Sequence, residues 1–210
     1  MGGKFPLFCL KSVYMANKLT YFVKDLPLKH TFTIAHQSRD VQDTLIVKLE
    51  DANYYGLGES TTNPFYGMTI GNMIECIEKI RPIVEKGAWE TPEQLWELGR
   101  EVFKDNPFAQ CALDMAAWDL YSKRKGKKLY ELLGLDPKKI PLTNFTIGID
   151  TIEKMDSKMT EVDWPIYKIK LGTDTDLDIR RELRNHPDSV SQIDANSPWK
   201  PAVSYTRPTL

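Results

Sequence analysis

Lys168 and Lys170 stand two residues apart in the run IYKIKL (166–171), and Asp194 ends the run VSQID (190–194). On a β-strand this spacing turns both lysine side chains to one face. A lysine facing a closed interior must be neutralised, paired or catalytic, because burying an unpaired ammonium is costly. A second ammonium nearby disfavours the charged form, which makes a lysine usable as a general base near neutral pH. Periodicity alone also allows a solvated edge strand with two surface lysines. An aspartate at a strand C-terminus suits a hard cation such as Mg²⁺. The triplet Asp194-Ala195-Asn196 would equally make an Asx turn.

The elements that must position these groups follow a strand–helix–strand rhythm. Ile140–Ile149 reads as a strand, Thr151–Val162 as a short helix, and Ile166–Leu171 as a second strand. Asp174–His186 reads as a helix with Asp174, Asp176 and Asp178 in its first turns, where the dipole favours them. Pro187 stops it, and Val190–Asp194 is a third strand. This alternation predicts a parallel α/β sheet or barrel, whose active site sits at the strand C-terminal ends.

The preceding half reads differently. Residues 17–60 predict an antiparallel β meander, with TLIVKL (44–49) and YYGLGE (54–59) joined by a polar turn. The Gly56-Leu57-Gly58 triplet lacks the third glycine and the helix of a phosphate loop, so it reads as a strand closely approached by other backbone. Residues 70–134 predict helices. Met73, Ile74, Ile77, Ile80 and Val84 follow helical spacing. Thr91-Pro92-Glu93-Gln94 supplies an N-cap and capping box. Pro107 opens a helix rich in small alanines that ends near Gly126. Asp114 and Asp119 within it read as structural carboxylates.

The chain has 210 residues, with 28 Lys plus Arg against 29 Asp plus Glu. A formal net charge of -1 supplies no general drive toward nucleic acid or an anionic membrane. Cys9, Cys76 and Cys111 lie far apart, which fits a reducing compartment better than a disulfide scaffold or zinc cluster. No apolar run is long enough for a transmembrane helix, and a cytoplasmic location is expected. The apolar patch Phe5–Leu10 is short and interrupted by Pro6, unlike a secretory signal. Residues 1–14 read as an extension before Met15, which opens MANKLTYF like a natural start. Residues 197–210, with Pro198, Pro201 and Pro208, show no period and read as a foreign tail.

Several motifs together resemble the enolase superfamily, muconate-lactonizing branch. They are KIK followed 24 residues after its second lysine by DAN, ALDMAAWDL (112–120), GKKLYELLG (126–134), GLGES (56–60) and TNPFYG (62–67). TNFTIGID (143–150) resembles the first barrel strand of dipeptide epimerases. The resemblance covers about residues 18–196. It implies an α+β N-terminal capping domain over 15–135, then the first strands of an α/β (β/α)-barrel over 136–196.

By this resemblance Lys170 matches the α-proton base. Lys168 matches the neighbouring lysine that contacts the substrate carboxylate and tunes the base. Asp194 matches the first of three acidic Mg²⁺ ligands, and Thr146 a substrate-contacting threonine. Segments around 32–39 and 61–67 match loops that close over the active site. The implied reaction is Mg²⁺-dependent epimerisation of a dipeptide such as L-Ala-L-Glu through an enediolate, a second lysine returning the proton on the opposite face. The resemblance also admits a muconate cycloisomerase or o-succinylbenzoate synthase. Its implied partners are a small dipeptide and further copies of the same chain, with no nucleic acid or membrane.

The sequence also departs from that pattern. A complete (β/α)₈ barrel takes about 250 residues, whereas 70 remain from Pro141 onward. Two acidic ligands and the opposing lysine are not found. One carboxylate holds Mg²⁺ poorly, since most other ligands would have to be water. The sequence therefore reads as a truncated or frameshifted copy of a longer enzyme, expected to be inactive as an epimerase by itself. A non-catalytic fragment is the remaining alternative.

Overall fold

A computed structural model describes residues 18–183 and 189–196. The expected extension, Met15, Cys9, His186, Pro187 and the proline-bearing tail lie outside the described residues. The chain divides into two compact units, one comprising residues up to Leu26 with Asp43–Pro137, the other Pro27–Gln42 with Lys138 onward.

The first unit holds the meander, apart from its hairpin tip at 27–42, and the helices between residues 70 and 132. Strands β1 (Lys18–Ile34), β2 (Gln37–Glu50) and β3 (Tyr55–Thr61) form a sheet in the order β1-β2-β3. β2 and β3 are antiparallel, with Val47 opposite Gly58 and Leu49 opposite Gly56. Alternation decides which face is buried: Leu45, Val47 and Leu49 are fully buried. Helices α1 (Ile70–Glu85), α2 (Pro92–Phe103) and α3 (Pro107–Lys125) cover that side, followed by the short α4 (Leu129–Leu132). The Thr91 hydroxyl accepts from the Gln94 N–H, and the Gln94 side chain accepts from Thr91 N–H, completing the expected capping box.

Small residues set the depth of packing in this unit. Ala109, Ala112, Ala116 and Ala117 of α3 are fully buried. A Cβ on Gly56 or Gly58 would run into the α3 backbone at Ala116 or Ala112, so glycine in β3 and alanine in α3 allow a backbone-to-backbone approach. Asp119 is used locally: its carboxylate accepts from Leu57 N–H at 2.8 Å and from Lys123 at 2.7 Å. Asp114 is half-buried, which pushes its carboxyl up from the usual range, with Glu93 adding to the effect.

The second unit begins a barrel. Strands β4 (Phe145–Ile147), β5 (Ile166–Lys170) and β6 (Val190–Asp194) form a parallel sheet in that order, unclosed among the described residues. Helices α5 (Ile152–Glu161) and α6 (Asp176–Leu183) are the crossovers. One sheet face carries Ile147, Tyr167, Ile169 and Leu171, buried under Met155, Met159, Ile179 and Leu183. The other face carries Thr146, Lys168, Lys170, Gln192 and Asp194. Strand β4 is shorter than the expected Ile140–Ile149. Pro141 has no N–H to pair, and Ile140 and Leu142 are exposed. No helix among the described residues is long and apolar enough to cross a membrane.

Candidate active site

Parallel register brings the chemistry together. Thr146 lies opposite Lys168, Lys168 opposite Gln192, and Lys170 opposite Asp194. Lys168 and Lys170 therefore do not point into bulk water from an edge strand. Both ammonium groups meet one carboxylate oxygen: Lys168 Nζ is 3.0 Å and Lys170 Nζ 2.8 Å from Asp194 Oδ2. Lys170 is buried, at 8% exposure. Two cations on one anion leave a positive site in a half-buried setting, which suits a carboxylate ligand.

The Asx turn forms as well. Asn196 N–H donates to Asp194 Oδ1 at 2.9 Å, so each carboxylate oxygen has a separate task. Asn196 has a left-handed backbone, φ 50°, unusual for a residue with a side chain. Its buried Oδ1 has no hydrogen-bond partner among the described residues. The left-handed conformation is one that asparagine takes readily, and it closes the turn after Asp194. Asp194 and Asn196 thus supply adjacent hard oxygens, the donor type Mg²⁺ takes. They are only part of a coordination shell. Among the described residues no group of three His, Cys, Asp or Glu side chains is placed to hold a metal.

Two supporting residues were not singled out as site residues from sequence. Asp176 is buried, and its Oδ1 accepts from Gly172 N–H at 2.9 Å and Thr173 N–H at 2.8 Å. It fixes the loop leaving Lys170, a task beyond the dipole role its position suggested. Gln192 Oε1 accepts from Asn144 Nδ2 at 3.0 Å, extending the polar face from Lys168 toward the start of β4. The period-two rule applied backward from Asp194 would have found Gln192.

The expected loop segments differ in form. Residues 32–39 are the two-residue turn Ala35-His36 with the strand ends of the β1–β2 hairpin on either side, and group with the second unit. Residues 61–67 lie in the first unit, where Pro64–Tyr66 is a 3₁₀ turn capped by Asn63, with Phe65 and Tyr66 exposed.

The Lys170 ammonium holds the Asp194 carboxyl well below the usual carboxylate range. Partial burial opposes this, and the Asn196 N–H and Lys168 reinforce it. With a lowered native pKa, the folded state binds fewer protons than the unfolded chain. The stabilisation is then complete above the unfolded value, near about 3.9, and is lost as pH falls toward the native value. Metal-free protein is expected to lose urea resistance more steeply below about pH 4 than its Asp194→Asn variant. Parallel pH profiles for the two would remove Asp194 from this role.

Comparison with known proteins places the chain in a family. Residues 18–134 match the N-terminal domain of the mandelate racemase / muconate lactonizing enzyme family. The L-Ala-D/L-amino acid epimerase of Flavobacterium johnsoniae is 50% identical over 175 residues, covering 83% of this chain and 52% of the relative. Its counterpart from a Maribacter species is 49% identical over 174 residues, covering 83% and 51%. A dipeptide epimerase from Enterococcus faecalis, complexed with Mg and L-Leu-L-Tyr, superposes with a TM-score of 0.78 at 28% identity, covering 90% of this chain and 55% of that one. The chain spans about half the length of the curated relatives it matches. With the family model covering more than half of its residues and both units present in the matched folds, the chain belongs to the mandelate racemase / muconate lactonizing enzyme family of the enolase superfamily.

Proposed function

We propose that this chain carries one side of a dipeptide epimerase site, with residues 15–135 as the capping domain and 136–196 as the start of the barrel. The observation that carries the reading is the convergence of Lys168 and Lys170 on Asp194 at the C-terminal ends of parallel strands. Epimerase relatives at 50% and 49% identity support the reaction class.

Lys170 is the base. It must release its hydrogen bond to Asp194 and present an amine to the α-carbon of the dipeptide's C-terminal residue. Lys168 pairs with the substrate carboxylate and holds that carbon in reach. Thr146, beside Lys168 in register, supplies a hydroxyl for the dipeptide backbone. Asp194 and Asn196 would hold Mg²⁺, which when bound stabilises negative charge on the substrate carboxylate. Asp176 keeps the loop after Lys170 in place through its two N–H contacts.

Removal of the α-proton is reversible, so the base can return solvent deuterium to the same face. Inversion requires a proton donor on the opposite face, and none of the assigned side chains occupies one. The chain in D₂O with L-Ala-L-Glu and Mg²⁺ is therefore expected to incorporate α-deuterium with retained configuration. The D-epimer should not accumulate. NMR of the α-proton and chiral analysis of the recovered dipeptide measure both. An α-proton that persists at saturating dipeptide overturns the assignment.

A further inference from the structure

Lys168 stands between two uncharged neighbours in register, Thr146 of β4 and Gln192 of β6. Neighbouring strands lie about 4.8 Å apart, so a glutamine amide on β6 can reach a lysine head group on β5. An amide oxygen accepts well from an ammonium, and such charge-assisted bonds are stronger than neutral ones. Gln192 is therefore a rival acceptor for the Lys168 ammonium. Yet the two are not paired in the structure. Lys168 Nζ meets Asp194 Oδ2 at 3.0 Å, while Gln192 Oε1 accepts from Asn144 Nδ2 at 3.0 Å.

Asn144 is the residue before β4, and β5 lies between β4 and β6. The bond from Asn144 to Gln192 thus spans the middle strand. Asn144 is two residues before Thr146, and Gln192 two before Asp194. The bond therefore lies on the face that carries the lysines, on the N-terminal side of Lys168. Lys168 reaches the other way, toward Asp194, which lies opposite Lys170. An amide oxygen can accept twice, so it is the direction set by Asn144 that keeps Gln192 Oε1 from Lys168. The polar end left to Gln192 is its NH₂ group, a donor that offers an ammonium nothing. The segment before β4 is itself tied down: the Trp164 indole N–H donates to Thr143 O at 2.8 Å.

We propose that Asn144 is a positioning residue for Lys168: by engaging Gln192 Oε1 it leaves the Lys168 ammonium to a carboxylate. That carboxylate is Asp194 in the structure and the dipeptide's own during binding. The inference rests on the reading of Lys168 as the substrate's carboxylate partner. In this role Asn144 touches neither substrate nor reacting atoms and acts only through Gln192.

The test titrates the full chain with L-Ala-L-Glu in the presence of Mg²⁺ and reads the dissociation constant by NMR, which needs no turnover. Asn144→Ala releases the Gln192 amide. Asn144→Ala/Gln192→Met removes the rival acceptor as well. The expected result is binding about three- to tenfold weaker in Asn144→Ala, with the double variant back within about twofold of the parent. The maximal rate of α-deuterium exchange should stay within about twofold in Asn144→Ala, because Lys170 is untouched. A merely structural tie between Asn144 and Gln192 predicts a double variant that binds as weakly as the single one, and that result overturns the proposal. Unchanged binding in Asn144→Ala overturns it too. So does weaker binding accompanied by faster exchange of the Trp164 indole N–H, the sign of a displaced strand start. A parent chain that binds the dipeptide but exchanges no α-proton removes Lys170 as base, and the binding comparison still decides Asn144. A parent chain that binds no dipeptide removes Lys168 as carboxylate partner, and the proposal falls with it.

Discussion

If Lys170 is the base, replacing it by methionine is expected to lower α-deuterium incorporation into the dipeptide by about a hundred- to ten-thousandfold, with the fold retained. A positioned base contributes about 10²–10⁴ in rate, and in this assignment the neighbouring Lys168 amine is engaged by the substrate carboxylate. Lys168 sits one layer further down the strand and pairs with Asp194 at 3.0 Å. Its replacement should act mainly on binding. The Lys168→Met variant is expected to need about ten- to a hundredfold more dipeptide for half-maximal exchange, with a smaller loss at saturation. The fold survives in the Lys170 variant because Asp194 keeps Lys168 and the Asn196 N–H as partners, so no charge is left unpaired. Methionine also fills the buried space that the lysine stem occupied. The two variants exchanging their effects, Lys170 on half-saturation and Lys168 on maximal rate, would reverse the assignment of base and carboxylate partner.

The legible part of this site was what period two dictates. Two lysines at 168 and 170 share a face in any strand, and Asp194 ends a strand of the same kind. Register was not legible. Whether Lys170 faced Asp194 or lay one residue off is a matter of strand pairing, which no local spacing sets; Asp176 holds only the loop leaving β5, through the N–H groups of Gly172 and Thr173. Sequence offered turn and metal ligand as rival readings of Asp194-Ala195-Asn196. The geometry shows the turn: Oδ1 takes the Asn196 N–H while Oδ2 takes both lysines.

The fold was legible where local rules act alone. The capping box at Thr91 and the apolar spacing in α1 need only neighbours in sequence, and both elements formed as read. The strand at Ile140–Ile149 was overread because apolar residues 140 and 142 have no partner strand to pair with, and pairing, not composition, makes a strand. The segment around 32–39 was read as a loop near the active site, but the grouping of the whole tip at 27–42 with the barrel residues was not, for a related reason. Its grouping with the barrel residues depends on contacts more than a hundred positions away in sequence, at Ile149 and Glu161.

Gly58→Ala is expected to destabilise the first unit by about 3 kcal/mol or more, a large share of a typical domain's 5–15. The added methyl would strike the Ala112 carbonyl oxygen and the Ala116 nitrogen, which are backbone atoms of α3. No side-chain rotamer relieves that clash, and trimming Ala112 or Ala116 to glycine leaves the struck atoms in place. Relief requires α3 to withdraw from β3 along its length. That would open the layer where Ala109, Ala112 and Ala116 lie against the sheet and separate Asp119 from the Leu57 N–H. The contrasting substitution is Gly71→Ala in the first turn of α1, where the nearest atom to the new Cβ is Thr69 Oγ1 at 3.9 Å. There alanine restricts the unfolded chain and meets nothing, so it should be neutral or stabilise by up to about 1 kcal/mol. Urea unfolding followed by circular dichroism measures both. Equal midpoints for the two variants would mean that the β3–α3 approach is looser than described and that glycine at 58 serves no packing role.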